Sequence, residues 1–316
     1  MGLAFIFPGQ GSQSIGMLAD LAVGHREVED TFAEASQVLG YDLWMLVSNG
    51  PEERLNQTQQ TQPAMLAAGV ATWRTWAACG GPRPDILAGH SLGEYSALVC
   101  AGSLAFPTAV ALVAARGQFM QEAVPTGQGA IAAVLGLDDQ EVLEACREAV
   151  AQKPGKVVAA VNFNAPGQVV IAGHAEGVAV ALELAKGRGA RRVVNLPMSV
   201  PVHCELMRPA TARLAALLKE TEIRPPEIPV VNNADVRIEN DPNAIRDALE
   251  RQLFSPVQWA DTVHRLAEQG AGIIVECGPG RVLTGLMRRI DRELTAMSIH
   301  DAKSLDSTRE FAAESP

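Results

Sequence analysis

A serine between two glycines lies at the junction of a predicted strand and a predicted helix. The segment Gly89-His90-Ser91-Leu92-Gly93 follows a short apolar run at residues 86–88 and precedes a helical pattern at residues 94–101. Glycines permit a sharp turn from a strand into a helix, and such a turn lifts the serine hydroxyl clear of the sheet. Strands that alternate with helices in this way predict an α/β fold, with a mainly parallel sheet and helices on both faces.

A different pattern interrupts that alternation after Gly127. Four apolar runs and two helical patterns follow one another in the order β-α-β-β-α-β; the runs are at residues 130–135, 157–161, 169–172 and 193–196. The turn Asn164-Ala165-Pro166-Gly167 joins the two central runs, as expected for a hairpin. This order is typical of ferredoxin-like domains, so we expect a small domain of that type at residues 127–197.

The strand–helix alternation resumes after the insertion, with apolar runs at residues 229–231 and 273–275. We therefore expect a discontinuous catalytic domain formed by residues 1–126 and 198–302. The polar residues 303–316 are expected to form a flexible tail. Two folding units also agree with a length of 316 residues at roughly 150 residues per domain.

Composition and charge exclude several functions. The formal net charge of −10 disfavours nucleic-acid binding, because that requires clustered surplus Lys and Arg. The five cysteines have no CxxC spacing, which predicts reduced thiols and a cytoplasmic location. The most apolar stretch, residues 99–115, is interrupted by Gly102 and Pro107 and is shorter than the ~20 residues of a membrane span. We expect neither a nucleic-acid nor a membrane partner.

A nucleophilic serine needs a base, and the chain has six histidines. His203 lies two residues after Pro201, on the loop by which the chain returns to the main sheet, and is the candidate base for Ser91. His90 adjoins the serine and is expected to pack or to orient. The remaining histidines are expected on the surface or within the small domain: His25, His174, His264 and His300.

The acidic member of a hydrolase triad has no clear candidate. In the order Ser…Asp/Glu…His, the acid would lie between residues 91 and 203. The acids in that interval, Glu94 among them, lie on predicted helices or in the helix-opening Asp138-Asp139 and not at a strand end. The third member is therefore expected to be something other than a carboxylate, which weakens a standard hydrolase interpretation.

Patterns for cofactors and metals fail elsewhere in the chain. The glycine-rich segment at residues 7–13 has Ser14 where a dinucleotide-binding GxGxxG requires glycine. Residues 127–132 satisfy GxGxxA but precede a strand instead of following one. No Walker A, HExxH or EF-hand pattern occurs. We expect no cofactor and no metal.

Eight segments, in order along nearly the whole chain, resemble one family: the malonyl-CoA:acyl-carrier-protein transacylases of dissociated (type II) bacterial fatty acid synthesis. The segments are FPGQGSQ (7–13), TQPA (61–64), GHSLGEYSAL (89–98), ARGQFMQ (115–121), VNFNAPGQVVIAG (161–173), SVPVHCELM (199–207), RQLFSPVQW (251–259) and ECGPGRVLTGL (276–286). The resemblance implies an α/β-hydrolase-like main domain that carries the ferredoxin-like insertion.

The resemblance also implies roles for individual residues. Ser91 would be acylated, His203 would be the base, and the main-chain carbonyl of Gln252 would orient His203 in place of an acid. Gln10 and the N–H of Leu92 would hold the oxyanion. The implied reaction is ping-pong transfer of a malonyl group from malonyl-CoA to the phosphopantetheine thiol of acyl carrier protein.

Substrate selection would depend on Arg116, which the resemblance places against the malonyl carboxylate. The residue before the candidate base is often Ser or Phe in the family and is Val202 here, so rejection of α-branched malonyl groups is less certain. Two alternatives stay open: a serine hydrolase or thioesterase that uses the same serine and histidine, and a non-catalytic acyl-binding subunit. A cation beneath the acyl chain argues against the first alternative.

Two arginine pairs are candidates for docking the acidic carrier protein, because this chain is itself acidic and docking needs local positive charge. Arg191 and Arg192 precede the last strand of the small domain, and Arg288 and Arg289 lie on a helix after Gly285. Each pair is also compatible with an ordinary solvated surface.

Overall fold

The computed structural model describes residues 1–125, 127–197 and 200–314. Its strands are β1 (Gly2–Phe7), β2 (Ile86–Gly89), β3 (Gly129–Leu135), β4 (Val158–Ala165), β5 (Gln168–His174), β6 (Arg192–Asn195), β7 (Val230–Val231), β8 (Ala271–Cys277) and β9 (Thr295–Ile299). Its helices are α1 (Ala19–Gly24), α2 (Arg26–Leu39), α3 (Leu43–Asn49), α4 (Glu52–Leu55), α5 (Thr58–Ala78), α6 (Gly93–Cys100), α7 (Phe106–Ala123), α8 (Asp139–Gln152), α9 (Ala175–Gly187), α10 (Arg208–Glu220), α11 (Pro242–Gln252), α12 (Trp259–Glu268), α13 (Val282–Ile290) and α14 (Ala302–Glu314).

The larger sheet is parallel throughout, with the strand order β7-β2-β1-β8-β9. Along β1, successive side chains enter opposite cores: Phe5 and Phe7 pack on one face, and Ala4 and Ile6 on the other. Helices α5 and α7 contribute to the first core, and α12 and α13 to the second. The predicted parallel sheet with helices on both faces is therefore confirmed.

The smaller sheet is antiparallel, with the strand order β4-β5-β3-β6. With its two intervening helices this is the predicted ferredoxin-like arrangement. Val134 and Ile171 pack beneath α8 and α9 on one face, whereas Ile131 and Val170 on the opposite face join the core of the larger sheet. One face of the small sheet is therefore covered by its own helices, and the other face packs against the domain that contains the larger sheet.

The carboxyl-terminal part of the chain corrects the sequence prediction. Residues 303–316 are not a flexible tail as far as they are described, because α14 extends from Ala302 to Glu314 and buries Leu305 and Thr308. These side chains anchor the helix beside β9, an edge strand that the sequence pattern did not reveal because Thr295–Ile299 has no continuous apolar run.

Some predicted features lie outside the described residues. These are residue 126 and residue 198 at the predicted domain boundaries, Ser199 at the start of one family segment, and residues 315–316 of the predicted tail. Within the described ranges, every helix is too short or too polar to cross a lipid bilayer.

Candidate active site

Ser91 occupies a strained turn between β2 and α6. Its φ angle is 51°, in the left-handed region that non-glycine residues seldom adopt. A Cβ atom on Gly89 would lie 1.9 Å from the carbonyl carbon of Gly93, and one on Gly93 would lie 2.0 Å from the main-chain oxygen of Phe7. The two glycines are therefore required because the backbones of strand, turn and helix approach too closely for any side chain.

His203 faces Ser91, and the two form a hydrogen-bonded pair. Ser91 Oγ and His203 Nε2 are 2.7 Å apart, and His203 Nδ1 lies 2.8 Å from the main-chain oxygen of Gln252. Since a carbonyl oxygen only accepts, Nδ1 carries the hydrogen and Nε2 is left as the acceptor for the serine proton. The main-chain oxygen of Gln252 thus occupies the place that a triad acid would take.

The protonation state of His203 suits a base. Burial, together with the nearby positive charge of Arg116, lowers its pKa to about 3, although the hydrogen bond to Gln252 opposes the shift. The imidazole is therefore neutral over the physiological range and is free to take a proton from Ser91.

Arg116 is the buried cation of the site. Its side chain is 1% exposed, with Nη1 donating to Gln62 Oε1 and Nη2 donating to Gln252 Oε1, each at 2.9 Å. The guanidinium also lies over the Tyr95 ring, 5.4 Å from its centroid. No carboxylate of the described residues forms an ion pair with it, and burial lowers its pKa. A guanidinium with only neutral hydrogen-bond partners is suited to receive an anionic ligand.

These groups line one cavity of about 190 Å³ between the two sheets. Ser91, His203 and Arg116 contribute from the larger sheet and its helices, together with Gln10, Leu92 and Val202. Residues of the smaller sheet line the opposite side: Ile131, Asn162, Asn164, Gln168 and Val170. The insertion therefore forms a wall of the site, partly apolar and partly amide-bearing.

Gln10 and Leu92, the expected oxyanion donors, both line the cavity that contains Ser91. Leu92 is the residue immediately before α6, so its N–H lies at the amino end of that helix, where partial positive charge accumulates. Gln10 Nε2 donates to Thr58 Oγ1 at 3.3 Å, a long hydrogen bond that a stronger acceptor can replace.

Three other histidines lie away from the serine hydroxyl: two form hydrogen bonds elsewhere in the fold, and one is exposed to solvent. His90 Nε2 lies 2.8 Å from Asn164 Oδ1, and the ring packs against Trp259, so His90 ties the turn to the smaller sheet. His174 Nδ1 accepts the N–H of Val157 within that sheet. His264 is exposed. Of the six histidines, His203 is the one hydrogen-bonded to the serine hydroxyl.

The two candidate docking pairs differ in position. Arg288 and Arg289 are exposed in the last turn of α13, and Leu283 and Leu286 of the same helix line the cavity. Arg289 also donates to the β4–β5 turn through the main-chain oxygen of Pro166, at 3.2 Å. Arg191 and Arg192 are exposed at the start of β6, a strand that pairs along one edge with β3. Within the described residues, none of the four arginines forms a salt bridge.

Three polar residues of the site were missed as individual residues by sequence reasoning. Gln62 lies in the TQPA segment, which resembles the family as a whole but gives Gln62 no role of its own. Asn164 lies in the hairpin turn. Asn233 follows β7: its Oδ1 accepts the Ser91 N–H at 2.6 Å, and its Nδ2 donates to the Gly89 carbonyl at 2.6 Å. The pair Asn232-Asn233, which follows β7 directly, was the available signal for Asn233.

Comparison with known proteins gives a consistent result. Residues 4–307 match the family described as the acyl transferase domain. The malonyl CoA-acyl carrier protein transacylase of Salmonella typhimurium is 56% identical over 304 residues, covering 96% of this chain and 97% of the relative. The Bacillus subtilis enzyme of the same name is 41% identical, covering 96% and 95%.

Solved structures agree in fold as well as in sequence. The malonyl CoA-acyl carrier protein transacylase from Coxiella burnetii has a TM-score of 0.96 at 49% identity, covering 98% of this chain and 97% of that one. A malonyl-transacylase in complex with a type II PKS acyl-carrier protein also has a TM-score of 0.96, at 55% identity, covering 98% and 100%. The chain therefore belongs to the acyl transferase family and, within it, to the malonyl CoA-acyl carrier protein transacylases.

Proposed function

We propose that this chain transfers a malonyl group from malonyl-CoA to the phosphopantetheine thiol of acyl carrier protein, through a malonyl ester on Ser91. The observation that carries the proposal is the shared cavity of the Ser91–His203 pair and the buried Arg116. A serine nucleophile accounts for acyl transfer, and a buried cation accounts for an acyl group that ends in a carboxylate.

The first half-reaction forms the ester. His203 Nε2 takes the proton of Ser91 as the hydroxyl oxygen attacks the thioester carbonyl, and the resulting tetrahedral intermediate carries a negatively charged oxygen. Gln10 Nε2 and the N–H of Leu92 stabilise that oxygen, each by roughly 3 kcal/mol. When the carbonyl re-forms, the carbon–sulfur bond breaks, and the departing CoA thiolate takes the proton from His203.

The second half-reaction reverses these steps with a different thiol. His203 accepts the proton of the phosphopantetheine thiol, the sulfur attacks the ester carbonyl, and Ser91 leaves with the proton returned to it. A thioester is consumed and a thioester is formed, so the overall transfer is nearly isoenergetic and reversible. Fatty acid elongation is the process that this product supplies.

The fold suggests how the parts of the chain share this work. We propose that residues 1–126 and 198–302 form the catalytic domain and that residues 127–197 form the small domain that closes the cavity. A cytoplasmic location is part of the proposal and is supported by the free thiols of all five cysteines, which suit a reducing compartment. The pairs Arg191–Arg192 and Arg288–Arg289 are the proposed docking sites for the carrier protein, with Arg288 the better placed through α13.

Mass spectrometry of the intact protein after addition of malonyl-CoA tests the proposal. The wild-type protein is expected to gain one malonyl group on Ser91 and to lose it when holo acyl carrier protein is added. Ser91→Ala removes only a hydroxyl and is expected to fold normally and gain nothing. Steady release of free malonate would support a hydrolase instead, and an unlabelled wild-type protein would support a non-catalytic subunit.

A further inference from the structure

Glu94 is a buried carboxylate to which the proposed reaction assigns no step. It lies in the first turn of α6, three residues after Ser91, and is 2% exposed. Its Oε2 atom accepts two hydrogen bonds, from Gln252 Nε2 at 2.8 Å and from the main-chain N–H of Asn233 at 2.9 Å. Burying a carboxylate is costly unless it is hydrogen-bonded, so these two contacts are what make the position tolerable.

The contact with Gln252 determines which way that side-chain amide points. Gln252 Nε2 donates both to Glu94 Oε2 and to the main-chain oxygen of Ser91, the latter at 2.9 Å. Because both partners are acceptors, only the NH₂ end of the amide can face them. The amide oxygen is thereby turned toward Arg116, which donates to it at 2.9 Å. If the Gln252 amide were reversed, its NH₂ group would face the Arg116 guanidinium, and two hydrogen-bond donors would then oppose each other.

Gln252 acts on two parts of the site at once. Its side-chain oxygen holds Arg116, and its main-chain oxygen holds Nδ1 of His203. Movement of this one residue would therefore misplace both the cation and the base, although Glu94 itself touches neither.

The second contact of Glu94 reaches the other side of Ser91. The N–H of Asn233 donates to the carboxylate, while the Asn233 side chain bridges the Ser91 N–H and the Gly89 carbonyl. The strained turn is thus held through a residue whose backbone Glu94 fixes.

We propose that Glu94 is a positioning residue for malonyl selection: by accepting from Gln252 and Asn233 it fixes the Gln252 amide toward Arg116 and holds the Ser91 turn. The inference rests on the proposed function, since it concerns how the same site recognises the malonyl carboxylate. Glu94 supplies one acceptor oxygen, Oε2, between Gln252 and Asn233, and this role does not require a net charge on the carboxyl group.

The electrostatic surroundings agree with an acceptor role. The pKa of Glu94 is raised to about 7, chiefly by burial and also by the negative charge of Asp235. The hydrogen bonds from Gln252 and Asn233 and the positive charge of Arg116 oppose this rise. Asp235 is itself paired with Arg251. A carboxyl group protonated on its other oxygen would still accept at Oε2, so the arrangement persists in either charge state.

Two substitutions separate position from charge. Glu94→Gln keeps an acceptor oxygen at the same reach but removes the charge, whereas Glu94→Asp keeps the charge but withdraws the acceptor by one methylene. Leu98→Ala is the matched control, because Leu98 is buried on the same helix one turn further along and its side chain is entirely apolar. The measurements are kcat/KM with malonyl-CoA and with acetyl-CoA, together with Tm.

We expect Glu94→Gln to keep most of the wild-type ratio of malonyl to acetyl transfer. Glu94→Asp is expected to lower that ratio by about 10- to 100-fold, as misplacement of catalytic groups by an ångström can do. Leu98→Ala should lower Tm with an unchanged ratio. A wild-type ratio in Glu94→Asp, or a larger loss in Glu94→Gln than in Glu94→Asp, would overturn the inference. Failure of the proposed function would look different, because wild-type Ser91 would then not be malonylated at all.

Discussion

Arg116 and Arg288 lie in two contrasting regions of this molecule: Arg116 lines the buried cavity, and Arg288 lies at the exposed end of α13. Arg116 is 1% exposed and donates to neutral amide oxygens, whereas Arg288 is exposed to solvent. Little water screens a charge in the interior, while a surface charge is worth little and is weakened further by salt. The same guanidinium group is therefore suited to selecting a substrate in one region and only to attracting a partner in the other.

The interior owes its properties to a closed set of hydrogen bonds. Gln252 connects Arg116, His203 and Glu94, and all four side chains are almost entirely buried. At the surface, Arg289 holds the β4–β5 turn and Arg288 has no salt-bridge partner in the described ranges. Substitutions inside should therefore have large effects that salt does not change, and those outside should have small effects that salt abolishes.

The largest effect is expected from His203→Ala. Without the base, Ser91 is a weak nucleophile at neutral pH, and loss of general-base assistance should slow acylation by up to about 10⁴-fold. Single-turnover malonylation measured by rapid-quench mass spectrometry checks this.

The pH dependence of the wild-type protein tests the same base. Because burial and Arg116 lower the pKa of His203 to about 3, the acylation rate should show no loss from protonation of His203 between about pH 8 and about pH 5. A loss centred near the ordinary pKa of histidine would show that the site is more solvated than described.

Arg116→Ala should come next and should change the substrate preference. A buried charge that loses its partner costs about 3–5 kcal/mol, which corresponds to a fall in malonyl transfer of roughly 150- to 5,000-fold. Acetyl transfer should be retained or improve, because an acetyl group leaves the wild-type guanidinium without an anionic partner. Arg116→Lys should recover little, since one ammonium cannot form a bidentate pair.

The values of kcat/KM for malonyl-CoA and acetyl-CoA on both Arg116 variants decide the matter. An equal loss for the two substrates would make Arg116 a structural residue and would remove the contrast between the interior and the surface.

The smallest effect is expected from Arg288→Glu. Charge reversal at an exposed site should raise KM for the carrier protein several-fold at low salt, with KM for malonyl-CoA unchanged. Arg147→Glu is the matched control, because Arg147 is an exposed arginine on α8, the helix layer of the small sheet away from the cavity. Carrier kinetics that do not respond to salt in either variant would exclude docking by Arg288.

Local patterns predicted much of this architecture. The glycines beside Ser91, the β-α-β-β-α-β order and the position of His203 after Pro201 are all visible within short stretches of sequence. Strand β9 and helix α14 were missed, since β9 is short and weakly apolar and α14 buries only Leu305 and Thr308. Elements at the edge of a sheet have weak hydrophobic patterns because half of their surface faces water.

The roles of Gln252, Glu94 and Asn233 as a connected set could not be predicted in this way. The hydrogen bond between Gln252 and Glu94 joins residues 158 positions apart in the sequence, and that between Asn233 and the Ser91 N–H spans 142 positions. In the sequence, Glu94 is only an acid on a predicted helix, a position that argues against a role as the acid of a triad.

The sequence by itself determined the fold class, the turn that presents Ser91 and the identity of the family, because these depend on turns, periodicity and short motifs. Only the tertiary structure decided that Arg116 donates to neutral amide oxygens, that Gln252 is hydrogen-bonded to both Arg116 and His203, and that the Glu94 carboxylate holds the Gln252 amide. Burial and hydrogen-bond direction arise when distant segments pack, so no local pattern contains them.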